Sequence, residues 1–305
     1  YYRQFRAAFR AVRSECAVDF VFLPYADYCL YAIGLIGDPF DGVPWSGICM
    51  RPSFHYYRLG IGPSVRLGFV KRILLERVLR SPALVRLFTI DPTLSDCMRR
   101  PEAERLVYLA DPTDFRVVSD TKRAREILNV PAAVRVLLVY GAITPRKGIA
   151  PLVDALLKLP KVSGICLLVV GRQTPEFERS EDRKSLSKLA QAMPVIEVNE
   201  MVDDATEELA FAAADAVWVG YENHYTMSGV LVMAGKVNRP VIATRVGLIG
   251  LLTERWRLGR TVDVRDLSAL PGVLADSETW KPSHPDAAAL AAHSWSNFQI
   301  TLNKY

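Results

Sequence analysis

From Val134 onward the chain is patterned in blocks. Short continuous apolar runs at 135–140 (RVLLVY), 165–170 (ICLLVV), 195–198, 216–219 and 241–243 alternate with segments whose apolar positions recur at helical spacing, at 149–159, 181–192, 206–214 and 229–237. Apolar runs of this length, separated by helices at a regular pitch, predict parallel strands buried on both faces. A further strand is expected at 261–264. Upstream, Val18 to Leu23, Gly47 to Met50, Leu87 to Ile90 and Leu106 to Leu109 read as shorter strands between helical segments. Two parallel α/β sheets are implied, one per domain. The polar, proline-bearing stretch Ala110 to Asp114 marks the boundary. The expected organisation is an amino-terminal domain at 1–112, a second at 113–285 and a terminal helix at 286–305.

The chain opens inside an amphipathic segment, Tyr2 to Arg13, with Phe5, Phe9 and Val12 at helical spacing and no start signal before it. A first domain of that length is lean beside the second, so it is expected to be short or incomplete. Half of the 305 residues are hydrophobic and 23% are charged, as in a globular protein. The cysteines, Cys16, Cys29, Cys49, Cys97 and Cys166, are odd in number and form no C-x-x-C pair. That argues against a disulfide framework or a structural zinc and points to a reducing, cytoplasmic setting. No apolar run approaches the ~20 residues of a membrane span, and Tyr1-Tyr2-Arg3 does not open a signal peptide.

The net charge of +5 is unevenly placed. Residues 1–110 hold 15 Lys+Arg against 10 Asp+Glu, which leaves 23 against 23 of the 38 and 33 for the remainder. A surplus of that size, without a recognised binding motif, does not point to nucleic acid. Within the basic third, Arg66 to Arg86 carries six basic residues and one acid, with Leu67, Val70, Leu74 and Val78 on one helical stripe. Such a helix either covers a sheet or makes peripheral contact with an anionic membrane.

The candidate chemistry lies at strand ends. VLLVYGAITPRK, 136–147, runs from a buried strand through Gly141 to Arg146 and Lys147 at a helix start, the arrangement by which α/β proteins hold a phosphate. Ser228-Gly229-Val230 opens another helix, with serine as the N-cap and the N–H groups of Gly229, Val230 and Leu231 free to grip an anion.

Four segments together resemble the retaining GT-B glycosyltransferases of family four: YGAITPRKGIAPLVDAL (140–156), ICLLVVGRQ (165–173), SGVLVMAGKVNRPVIATRVGLIG (228–250) and LGRTVDVRD (258–266). The resemblance implies two Rossmann-like domains facing across a cleft. It also implies a hexosyltransferase-type enzyme that moves a sugar from a nucleotide diphosphate donor to a glycan or lipid-linked acceptor, as in polysaccharide biosynthesis. Retention of configuration is implied, with no metal and no cofactor beyond the donor substrate. Arg146 and Lys147 match the basic pair that contacts the donor diphosphate. Gly141 is the strand-end turn ahead of that pair, and Gly171 and Arg172 follow the second strand as the nucleotide-side loop would. Glu200 and Met201 stand where base and ribose sit, beside Asn199.

His55, in GICMRPSFHYY, resembles the strand-end histidine near the transferred sugar, with Asp27 as a weaker candidate of the same kind. The family's two glutamates, counted back from Pro240, fall instead on Met233 and Tyr225. Glu222 and His224 in the YENHY loop are the nearest polar candidates to face the sugar. Asp203 and Asp204 open a helix and look like capping, not a D-x-D metal motif. The tail resembles the last helix of that fold, with Trp295 and Phe298 as its anchors. The rival reading is a catalytically inactive nucleotide-sugar-binding or scaffold protein, since both glutamates are missing.

Overall fold

A computed structural model describes residues 1–99, 101–159, 164–282 and 284–305. The chain divides into two units, one of Tyr1–Pro112 with Ala292–Tyr305 and one of Thr113–Ala291. In the first, β1 (Val21–Leu23), β2 (Trp45–Cys49), β3 (Leu84–Thr89) and β4 (Leu106–Tyr108) form a sheet in the order β1-β2-β3-β4, with every neighbouring pair parallel. The helices α1 (Tyr2–Glu15), α2 (Leu30–Ile36) and α3 (Gly68–Leu79) accompany it. Leu30, Phe40, Trp45, Leu75, Leu79 and Leu87 pack into one core.

Two expectations need correction here. In α1, Phe9 is buried and meets Phe40 edge-on at 5.5 Å, but Val12 is left exposed. The packed stripe is therefore Tyr2, Phe5 and Phe9. In α3 the buried residues are Leu75, Glu76, Val78 and Leu79, and the predicted stripe fails at its start, where Leu67 and Val70 face water.

The second unit carries β5 (Arg135–Tyr140), β6 (Ile165–Val170), β7 (Val195–Val198), β8 (Ala216–Val219), β9 (Val241–Thr244) and β10 (Gly259–Val262). Around them lie α4 (Thr121–Ile127), α5 (Ile149–Leu156), α6 (Pro175–Glu178), α7 (Glu181–Leu189), α8 (Asp204–Ala213), α9 (Gly229–Lys236), α10 (Gly247–Arg255), α11 (Leu270–Ala275) and α12 (Ala287–Ala291). The described strands are ordered β10-β9-β8-β5-β6-β7, all parallel. All six residues of β6 are buried, which is why its sequence is an unbroken apolar run. The last strand begins two residues earlier than predicted, because Gly259 already pairs with Val241.

The strand order fixes where a ligand goes. From β5 the chain winds outward through β6 and β7, then returns to β8 on the other side of β5 and winds the opposite way. Open α/β sheets bind ligands at this reversal, outside the carboxyl ends of the two strands. Those ends are Tyr140 and Val219.

The tail is broken in two at His293, with α13 (Trp295–Asn303) belonging to the first unit. Phe298 and Leu302 pack on Ile48, Phe88 and Leu109. Trp295 is 52% exposed and only borders Phe298, 5.6 Å away, so Leu302 and not Trp295 is the second anchor. The buried His293 ring donates from Nδ1 to the Asp111 carbonyl at 2.8 Å, which leaves Nε2 to accept from the Tyr108 hydroxyl at 3.3 Å.

Candidate phosphate-binding site

At the end of β5 the chain turns at Gly141, whose N–H bonds the Val170 carbonyl at 3.0 Å. Ile143 and Thr174 then clip this loop to the one after β6, through Ile143 N–H to Arg172 O and Thr174 N–H to Ile143 O, both 3.0 Å. Gly171 is buried at φ +134, and a Cβ there would stand 2.1 Å from the Gly141 carbonyl oxygen. Its role is close packing of the two strand ends. The anchored loop leads into a single 3₁₀ turn, Pro145–Lys147, closed by Gly148 at φ +64. Any side chain at Gly148 would be strained by that left-handed backbone, and its Cβ would lie 2.5 Å from the Gly220 carbonyl. The loops after β5 and β8 therefore touch backbone to backbone. Glu222 N–H to Arg146 O at 2.9 Å is the second strap between them.

This clamp places Lys147. The side chain is 3% exposed, and its ammonium donates to the Tyr140 carbonyl and to the Tyr221 hydroxyl, the latter at 2.8 Å. Trp218, wholly buried under the same turn, donates its indole N–H to the Lys147 carbonyl at 2.8 Å. Among the described residues no carboxylate forms an ion pair with Lys147. A buried ammonium with neutral partners alone is under-compensated, and an anion would supply what is missing.

Arg146 is exposed beside it, with its guanidinium 5.8 Å from the Tyr221 ring. It donates to His224 Nδ1 at 3.4 Å. Because a guanidinium cannot accept, the neutral His224 ring carries its proton on Nε2 and donates to the Met227 carbonyl at 3.2 Å. Glu222, half-buried next to Gly148, has its carboxyl pushed above the ordinary range, first by burial and then by the nearby charge of Asp182. Gly141, Arg146, Lys147, Glu222 and His224 are thus brought together.

Of the two helix starts that the sequence offered to an anion, only one is open. The amino end of α5 is already occupied, since Asp182 Oδ1 accepts the Ala150 N–H at 2.7 Å. The open end is that of α9, where the Ser228 side chain makes no cap bond. Leu231 N–H is not free, because it returns to Ser228 O at 3.1 Å; the N–H groups of Gly229 and Val230 are left without a partner among the described residues. These two donors stand at the positive end of a helix that follows the Lys147 clamp through the loop at 221–228.

The remaining candidates have surroundings of their own. The Arg172 side chain is exposed. Asn199 is spent on structure, its Oδ1 accepting the Gln173 N–H at 2.7 Å. Glu200 and Met201 are exposed beyond β7, the outermost strand, two strand spacings or about 10 Å from β5. Asp27 in the first unit caps the end of β2, accepting the Met50 and Arg51 N–H groups at 2.8 Å each. His55 is 1% exposed, with Nε2 2.9 Å from the Thr93 hydroxyl and 3.2 Å from Asp91 Oδ2, and with Nδ1 unpartnered. Tyr221 and Trp218 were missed from the sequence. The available signal was that buried tyrosine and tryptophan need partners for their O–H and N–H.

No protein-family model matches the chain, and no curated protein matches it in sequence. Solved structures match its fold. Sucrose-phosphate synthase from Thermosynechococcus elongatus is similar over 99% of this chain and 76% of its own, at 20% identity and a TM-score of 0.70. Anabaena HepE in complex with UDP-glucose is similar over 97% and 80%, at 16% identity and 0.63. A glycosyltransferase from Rickettsia africae is similar over 99% and 78%, at 14% identity and 0.59. The fold is that of GT-B glycosyltransferases, two α/β units each built on a parallel sheet. At such identities the likeness establishes the fold, and the chemistry has to be argued from the residues.

Proposed function

We propose that this chain is a glycosyltransferase that takes a nucleoside diphosphate sugar as donor and passes the sugar to a glycan or lipid-linked acceptor. The observation that carries the reading is Lys147, an ammonium buried without a carboxylate at the reversal of strand order. The donor diphosphate lies against Lys147, Arg146 and the free N–H groups of Gly229 and Val230. As the sugar–phosphate bond breaks, negative charge grows on the leaving diphosphate, and these donors are already in place to receive it. They fill the charge role that a metal ion fills elsewhere, so transfer proceeds without one. HepE's complex with UDP-glucose makes uridine nucleotides the first to test.

In this reading Glu222 is the carboxylate nearest the bound diphosphate and meets the sugar as positive charge develops on its ring. His224, its Nδ1 turned to Arg146, holds that guanidinium in place. His55, almost wholly buried against Asp91 and Thr93, positions the acceptor side of the first unit and does not itself touch the sugar. Retention of configuration belongs to the same proposal.

A second reading, a donor-binding protein without transfer, is favoured by one observation: Tyr225 and Met233 occupy the positions where the resemblance calls for glutamates. Calorimetric titration with UDP, GDP and ADP, followed by an assay of nucleotide release from the matching sugar conjugates, separates the two. Binding with release supports the enzyme, and binding without release supports the second reading. If no nucleoside diphosphate binds, both fall.

A further inference from the structure

We propose that a cavity of the first unit, at the carboxyl ends of β2 and β3, binds a small ligand through a phosphomonoester group. The cavity measures about 380 Å³, within the range of small-molecule sites. One wall comes from the segment after β2, with His55 and Arg58, and the other from the first turn of α3, with Gly68, Phe69 and Arg72. Open parallel sheets bind ligands at this end. Binding follows from these residues alone, whereas the ligand's role as acceptor, which makes the acceptor a phosphorylated sugar or polyol, rests on the glycosyltransferase reading.

Cations and hydrogen-bond donors converge on the cavity. Arg58 is exposed and makes no ion pair among the described residues. Arg72 gives Nε to Glu76 at 3.0 Å, and its two terminal nitrogens are uncommitted among the described residues. Gly68 N–H returns to Val65 O and Lys71 N–H to Leu67 O, both at 2.9 Å. The N–H groups of Phe69 and Val70 between them have no partner among the described residues, and they stand at the positive end of a 12-residue helix. Ser64 adds a hydroxyl. No lining residue is an acid, and Asp96, the neighbour of Cys97, is exposed outside the lining.

His55, 1% exposed, gives a second and independent sign of a ligand. The Thr93 hydroxyl donates to Asp91 Oδ1 at 2.7 Å, so its oxygen accepts His55 Nε2–H at 2.9 Å, with Asp91 Oδ2 3.2 Å from the same nitrogen. Nδ1 is thereby left an acceptor without a donor, in a side chain that lines the cavity. A ligand hydroxyl would supply that donor. Two guanidinium groups, a hydroxyl and two N–H groups outnumber what the two free oxygens of a phosphodiester accept, and suit the three of a monoester dianion. A lipid headgroup, a diester, is therefore the disfavoured source of the phosphate.

The test is calorimetry of the full chain. UDP is titrated first, and its heat reports the donor site; no heat would fell the donor reading and leave this proposal standing. Glycerol 3-phosphate, a monoester, and glycerophosphoglycerol, a headgroup diester, are then titrated with UDP present. The monoester is expected to bind saturably and at least about tenfold more tightly than the diester. Arg58→Gln should weaken it about tenfold at an unchanged thermal midpoint, since the side chain is exposed and unpaired. Arg72→Lys keeps a cation for Glu76 but loses the free guanidinium nitrogens, and should weaken it at least about tenfold with UDP affinity unchanged. Lys122→Gln with Arg123→Gln, at exposed positions of α4, should bind as the parent does. No binding of the monoester overturns the proposal, and so does equal binding of the diester, which would assign the cavity to a headgroup. Affinity unchanged in both arginine variants, or lowered equally by the α4 pair, overturns it by placing the anion elsewhere.

Discussion

Replacing Lys147 by Met keeps the length and apolar stem of the side chain and removes only the charged head. In the free protein two effects oppose each other. The Tyr140 carbonyl and Tyr221 hydroxyl lose a donor, at about 1 kcal/mol each, while a buried cation without a carboxylate disappears, a change that is often neutral or stabilising. Stability without ligand should therefore move by no more than about 1 kcal/mol. With nucleoside diphosphate bound, the loss is one-sided. Hydrogen bonds to charged groups are worth about 1.5–3 kcal/mol, so affinity should fall roughly 10- to 150-fold. At a ligand concentration about 100 times the parent's Kd, binding stabilises the parent by about 2.7 kcal/mol; a variant 30-fold weaker retains about 0.9 kcal/mol. For a unit of this size those figures correspond to midpoint shifts of about 7 °C and 2–3 °C, readable by thermal unfolding with and without UDP. The opposite pattern, an unchanged ligand shift on a free protein weakened by several kcal/mol, would falsify the anion role and make Lys147 a structural strut.

Three other changes probe the same clamp. Tyr221→Phe removes the hydroxyl that steers Lys147 and should cost about fivefold in nucleoside diphosphate affinity by calorimetry, near the ~1 kcal/mol of one hydrogen bond. An unchanged Kd would mean the hydroxyl does not matter. Gly148→Ala forces a Cβ to within 2.5 Å of the Gly220 carbonyl at φ +64 and should lower stability by about 2 kcal/mol or more in a denaturant melt; a neutral result would show that the two loops can separate freely. For Glu222→Gln the sign follows from its raised carboxyl: between the ordinary and the raised value the folded protein binds more protons than the unfolded chain, so stability falls as pH rises through that window. The Gln variant should lack this component, and its difference from the parent should grow with pH. If Glu222 also meets the sugar, its nucleotide-release rate should drop more than tenfold, about 1.4 kcal/mol of barrier, at unchanged donor affinity.

The second unit was easily read because parallel strands buried on both faces leave an uninterrupted signature. The runs at 135–140, 165–170, 195–198 and 216–219 became strands with the same limits. In the first unit the signal thinned. β1 and β4 are three residues each, and half the apolar stripe predicted along α3, Leu67 and Val70, is exposed. At the site, Arg146 and Lys147 were legible because cations after a strand-end glycine are a local pattern. The capping of α5 was not, because Asp182, which accepts the Ala150 N–H, lies 32 residues downstream. Tyr221 belongs to the same class of contact, reaching Lys147 across 74 positions of sequence. Partners that meet only through a sheet crossover leave no spacing to count.

The scarcity of acids near the clamp bears on what part of a donor the proposed site grips. Tyr225 and Met233 stand where the resemblance calls for glutamates, and neither is a disguised replacement. Tyr225 is pinned by Leu248 N–H on its carbonyl at 2.8 Å, and its hydroxyl lies 3.4 Å from an Arg265 nitrogen. Met233 is a half-buried thioether on α9. Of the two carboxylates beside the clamp, Asp182 is tied to Ala150, which leaves Glu222. In the proposed complex, binding energy would thus be concentrated on the diphosphate, with few acceptors for sugar hydroxyls. The nucleoside diphosphate and its sugar conjugate should therefore bind within a few-fold of each other, because one hydroxyl–carboxylate contact adds about 1.5–3 kcal/mol at most, and part of that is lost to ordering the sugar. Competition calorimetry of UDP against UDP-glucose measures the ratio. A sugar conjugate bound about a thousandfold more tightly, beyond what one such contact supplies, would mean that groups other than Glu222 grip the sugar, and the assignment of the sugar side to the Tyr221–Ser228 loop would have to be given up.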